Sequence, residues 1–157
     1  MTIAQQLAKQ LRDVYFGGNW TSVNMRDATA DITWQESLIS INGHHPIAEL
    51  VFHVSYFLKA IREAIEQKPL STKDSLSFDV PAIASSEDWN GLLKSIWEEV
   101  EITCKLIETL DDQALESAFV QPQYGTMFRN ISGIIEHTHY HLGQIVWLKK
   151  DLRKESK

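Results

Sequence analysis

Six histidines occur in this chain of 157 residues. Three of them crowd into one stretch, Glu136-His137-Thr138-His139-Tyr140-His141-Leu142-Gly143-Gln144. On a helix, residues four apart are stacked neighbours, so His137 and His141 point the same way. His139 is turned by roughly 200° from His137 at 3.6 residues per turn and faces elsewhere. The spacing therefore selects the outer pair, whose nitrogens can reach one divalent ion from adjacent turns. Two imidazoles leave an ion under-coordinated, and a third ligand must come from the inner face of another helix. His53 is the natural choice, because Leu50, Val51, Phe52 and Val54 flank it on a stretch that should face the core. A histidine there must find hydrogen bonds or bind something, since burying an unpaired polar group costs on the order of several kcal/mol. A lone core histidine is more often satisfied by a backbone or carboxylate partner, and H-x-x-x-H also arises by chance on helices. Both readings stand at this point.

Neighbouring polar residues are candidates for the outer shell. Glu49 lies one turn before His53, where it could orient that imidazole or act as a base; a solvated surface glutamate is the plainer reading. Gln144, three residues after His141, is placed either at the rim of the site or in a bond across the bundle. Glu136 points about 100° away from His137 on a regular helix. His44 and His45 precede a helix and are expected to have local roles, without metal.

Four long helices must position these side chains. Ile3, Leu7, Leu11 and Val14 recur every three or four residues until Gly17-Gly18 stops the run. Residues 22–30 add a few helical turns, and residues 31–44 are too irregular to assign. A second helix opens at His45-Pro46, with proline at the first helical position, and carries Ile47, Leu50, Val54, Phe57, Leu58, Ile61 and Ile65 to about Gln67. A third begins at Ser85-Ser86-Glu87-Asp88 and buries Leu92, Leu93, Ile96, Val100, Ile107 and Leu110. The fourth starts around Thr126 and runs through Phe128, Ile131, Ile134, Ile135, Leu142, Ile145 and Leu148. All four prolines fall outside helix interiors, as helices require. Residues 75–80 could form a short extended piece. The link over residues 68–85, at about 3.3 Å per residue, could cross a bundle some ~30 Å tall. Helices two and three could then run parallel, in an up-down-down-up order. Long links of this kind often cover a site, although a plain crossover strap fits equally well.

Composition narrows the function classes. A net charge of −6 works against attraction to nucleic acid or anionic lipid. The basic cluster Lys149, Lys150, Arg153 and Lys154 is expected to complement the dipole at a helix C-terminus. No stretch approaches the ~18 apolar residues of a membrane span, and the N-terminal residues lack the pattern of a signal peptide; a cytoplasmic address is expected. Cys104 is the only cysteine, and its apolar-periodic surroundings make it a small buried hydrophobe rather than a nucleophile. Trp89, Trp97 and Trp147 are either core or interface. The length suits one domain over residues 1–157.

At the histidine positions the chain resembles the DinB superfamily, particularly its YfiT-like metal-dependent enzymes. Ile134-Ile-Glu-His137-Thr-His-Tyr-His141-Leu-Gly-Gln144-Ile145 looks like that family's H-x-x-x-H-x-G-Q-I signature. His45-Pro-Ile-Ala-Glu49-Leu-Val-Phe-His53 is similar to its H-S-I-W-E-L-V-L-H stretch, with Pro46 and Ala48 departing from it. Tyr15-Phe-Gly-Gly-Asn-Trp20 looks like its glycine–tryptophan segment after helix one. The resemblance covers nearly the whole chain. It implies a four-helix bundle of up-down-down-up type, with His53, His137 and His141 holding zinc, nickel or another first-row divalent ion. It further implies a homodimer and, as one activity class, transfer or isomerisation dependent on a low-molecular-weight thiol such as bacillithiol or mycothiol.

Three imidazoles with no fourth protein ligand leave a position open to water or substrate. An ion so held could activate water, polarise a carbonyl or hold a small-molecule thiolate. The expected function is metal-dependent thiol transfer or hydrolysis on a small molecule. The competing expectation is a non-catalytic metal- or ligand-binding module, whose site would be closed by a fourth ligand such as Glu49; a metal-free bundle that pairs with a protein partner is the third.

Overall fold

Capping side chains and apolar spacing decide where the chain becomes helical. The computed structural model describes residues 1–155. Thr2 and Gln5 cap each other's backbone at the start of α1, Ile3–Phe16, which buries Ala4, Leu7, Ala8, Leu11, Val14 and Tyr15. It ends at Gly17, whose φ of +112° is costly for any residue with a side chain. Asn24 and Thr33 cap two short helices, α2 (Met25–Thr29) and α3 (Trp34–Ser37). The next segments are α4 (Ile47–Tyr56), α5 (Leu58–Ile65), α6 (Ser86–Glu108) and α7 (Asp112–Glu116). The chain closes on the longest helix, α8 (Met127–Glu155). The Ser85 hydroxyl accepts from the Asp88 N–H to open α6, and Thr126 does the same for Arg129 at the head of α8.

The protein is all-α, and no strand occurs among the described residues. α1 packs along α6 and α8, α4 against α8, and α5 against α6. Their buried faces merge into one apolar cluster that includes Leu11, Val51, Leu58, Val100, Ile131 and Ile145. Cys104 is buried within it, with its thiol directed at the Ala8 carbonyl, and burial pushes that thiol up to about 12. No helix is long and apolar enough to cross a membrane among the described residues.

Several expectations need correction. The second helix is two helices, interrupted at Phe57. Neither proline nor glycine causes the break; instead the Ser55 hydroxyl donates to the Val51 carbonyl at 2.9 Å, a back-bond that bends helices. Pro46 caps α4 from outside and is not its first residue. Residues 75–80 are not extended, because Asp74–Leu76 form a 3-10 turn. Phe128 lies exposed at 45% rather than in the core, and Leu92 is only half-buried. The basic cluster does more than face a dipole. Lys149 and Arg153 both pair with Asp31, which fastens the loop after α2 to the end of α8 and pulls that carboxyl down to about 2.

Candidate metal centre

His53 stands near the end of α4, and His137 and His141 stand one turn apart on α8, the helix against which α4 packs. The three side chains converge. His137 Nε2 lies 3.1 Å from His53 Nε2 and 2.9 Å from His141 Nε2, and ligand atoms from all three lie within 4.8 Å of one another. His141 is buried, and His53 and His137 are half-buried. His139 faces away, towards Thr21 and Val23, as the helical spacing requires.

Proton positions decide what this cluster can be. His141 Nδ1 lies 2.6 Å from Gln144 Oε1, an acceptor only, so Nδ1 carries the proton and Nε2 presents a lone pair. His137 Nε2 then contacts one lone pair on His141 and one nitrogen of His53. A single N–H shared between both contacts is the one neutral arrangement without lone-pair repulsion. It would require His53 to carry its proton on Nδ1, and that buried atom has no partner of hydrogen-bond geometry. The Ser77 backbone does act on the His53 ring, raising its proton affinity, but the contact is too poor to count as a bond. A cation relieves the crowding of the three nitrogens, because three Nε2 lone pairs can then point at one centre; it too leaves the His53 proton on Nδ1, so that atom does not choose between the two states. Ligands of a tetrahedral ion with bonds near 2.05 Å sit about 3.3 Å apart, close to the two nitrogen contacts of His137 at 3.1 and 2.9 Å.

Electrostatics favours the neutral rings that metal ligation needs. Burial first, then neighbouring His141 and His53, push His137 down to about 4. Burial and His141 lower His53. Burial also lowers His141, with the Gln144 bond working the other way.

The two outer-shell candidates part company. Gln144 holds His141 directly, and it also approaches Tyr140. Glu49 bonds His45 Nδ1 at 2.6 Å instead of reaching His53. Helical side chains lean towards the N-terminus, so Glu49 turns back to His45 and Gln144 turns back to His141. Replacing Gln144 with leucine keeps the bulk and removes the acceptor. Metal affinity should fall about 10–100-fold, as it does when an orienting partner of a ligand is lost. Competition against a chromophoric chelator measures this, and an unchanged affinity would deny Gln144 its orienting role.

Sequence reasoning missed the aromatic cover. Phe78, from the link over residues 68–85, stacks on the His53 ring at 3.9 Å and 7°, and His45 stacks on Phe78 at 4.2 Å. Phe57, at the helix break, meets His53 edge-on at 5.5 Å. The link is anchored by Ser71, which donates twice to Glu63, and by the Lys73 N–H on the Tyr56 hydroxyl. Phe78 is the one aromatic in that link, which was the available signal. Two cavities adjoin the cluster. One of about 220 Å³ touches His141 and Gln144 beside His44 and Trp147. The other, of about 430 Å³, opens at His137.

No family model, curated protein or solved structure matches the chain.

Proposed function

We propose that this chain is a divalent-metal protein of the DinB superfamily, YfiT-like in type, and a metal-dependent enzyme acting on a small molecule. The convergence of His53, His137 and His141 Nε2 within one ligand sphere is the observation that carries the reading. Zinc or nickel suits three neutral imidazoles. In this reading α1, the α4–α5 pair, α6 and α8 are the four members of an up-down-down-up bundle, and residues 68–85 are its crossover. The chain works as a cytoplasmic homodimer, and its net charge of −6 argues against a nucleic-acid partner.

When bound, the ion supplies Lewis acidity to water, a carbonyl or a thiol in its open position. The protein's own residues do the rest. Gln144 fixes the His141 tautomer, Phe78 shields one face of His53 from water, and the cavity at His137 admits a small molecule. The reaction class is thiol transfer or hydrolysis. Cys104 takes no part, since it is buried among apolar residues.

A non-catalytic module would close the site with a fourth ligand, and Glu49, the obvious one, is engaged by His45. Purified protein loaded with zinc or nickel should turn over a low-molecular-weight thiol with an electrophile, or an ester, in a metal-dependent way. Absence of turnover with every thiol tried removes the transferase version. Absence with esters as well leaves a binding module.

A further inference from the structure

The cavity at His137 lies between α5, the link over residues 68–85 and the first turns of α8, and its size is within the range of small-molecule sites. Phe57, Ile61, Leu70 and Phe119 give it an apolar wall. Arg129, Gly133 and His137 line it at intervals of one helical turn along α8. Arg129 rests between two glycines. Its Cγ lies 3.4 Å from where a Cβ on Gly125 would stand, and its Nη1 lies 2.9 Å from where one on Gly133 would stand. The missing side chains let the arginine lie along the helix towards His137. Arg12, Arg62 and Arg153 each face a carboxylate, and Arg26, also without an ion pair, lies over the Phe16 ring. Arg129 has no ion-pair partner among the described residues, and it alone of the five lines this cavity. Asp74 also lines the cavity and works against an anion there, a repulsion that Arg129 has to offset.

We propose that this cavity seats a small organic carboxylate, with Arg129 gripping the carboxylate, the apolar wall holding the carbon chain, and the far end presented at His137. The guanidinium reaches the level of Gly133, one turn or about 6 Å short of His137 along the helix. The ligand therefore carries its carboxylate about four or five bonds from the end that meets the histidines. Only the identity of that end rests on the metal reading.

Hexanoate is a suitable probe, titrated calorimetrically into the full-length chain with and without zinc. It should bind, and hexanamide, equally long but neutral, should bind at least about tenfold more weakly, the loss expected of a charge-assisted pair. Arg129→Gln should show the same loss. Gly133→Ala should also weaken hexanoate about tenfold, because the new Cβ displaces the flexible end of Arg129. It should not lower the melting temperature, since alanine is the better helix former. No hexanoate binding in the millimolar range, equal binding of hexanamide, wild-type affinity in Arg129→Gln, or tighter binding of hexyl phosphate overturns the proposal. A separate zinc titration of the same metal-free protein separates the two readings. A chain that takes up no zinc yet binds hexanoate through Arg129 loses the metal reading and keeps the carboxylate seat, and the converse result does the opposite.

Discussion

Replacing His137 with alanine should abolish stoichiometric metal binding: wild-type protein is expected to retain one equivalent after chelator-free purification, and the variant none. His137 is the shared vertex of the cluster, with Nε2 contacts of 3.1 and 2.9 Å to the other two rings. Its loss leaves two ligands on different helices, and affinity should fall well beyond the ~10–100-fold that follows loss of an outer-shell partner. His53→Ala and His141→Ala should behave alike, while His139→Ala, on the other side of α8, should keep its metal. Elemental analysis of the four variants decides the matter. Unchanged metal content in His137→Ala ends the assignment.

The same rings set how the metal-free protein responds to acid. Each has a folded pKa below its unfolded value of 6.5. Above pH 6.5 neither state binds these protons, and the rings contribute no pH dependence. As pH falls from 6.5 towards about 4, the unfolded chain takes up protons that the folded His137 refuses, so stability declines over that window and levels off below it. Urea midpoints of metal-free wild type should therefore drop between pH 7 and pH 4.5 more than those of metal-free His137→Ala.

How much of this was legible in the sequence depended on how local each determinant is. His137 and His141 were readable because the geometry of one helix fixes their relation. His53 was half-readable: its apolar neighbours placed it inward, but its meeting with α8 is tertiary. Glu49 stands four residues from both His45 and His53, so spacing alone could not choose, and the backward lean of helical side chains chose His45. The break at Phe57 was invisible because apolar residues continue through it, while its cause is one hydroxyl bonded to the turn before. Phe78 belongs to a link without period, and no pattern could bring it over His53. Nothing in the sequence sets Arg129 apart, because what defines its seat is the absence of side chains at Gly125 and Gly133.

Trp89→Ala should be the most destabilising of the single tryptophan substitutions at positions 89, 97 and 147. The three tryptophans that sequence could not sort are sorted by their surroundings. Trp147 is exposed at 48%, and Trp89 at only 2%; Trp97 is half-buried against Tyr15 and Phe16. Trp89 also does a polar task, for its indole N–H donates to the Ile32 carbonyl at 3.0 Å. That carbonyl lies in the irregular stretch between α2 and α3, so the indole ties the first turn of α6 to a segment with little regular structure of its own. Truncation to alanine costs about 3–5 kcal/mol for the lost packing, and the stranded carbonyl adds about 1–3 kcal/mol where water cannot reach it. Against a total stability of roughly 5–15 kcal/mol, the melting temperature should fall by about 12–24 °C. Trp89→Phe keeps most of the apolar contact and loses the donor, and its smaller drop sets an upper bound on the polar part. Trp147→Ala should change stability by less than about 1 kcal/mol. Equal melting temperatures for the alanine variants at 89 and 147 would mean that the indole does not fasten the α2–α3 segment to α6.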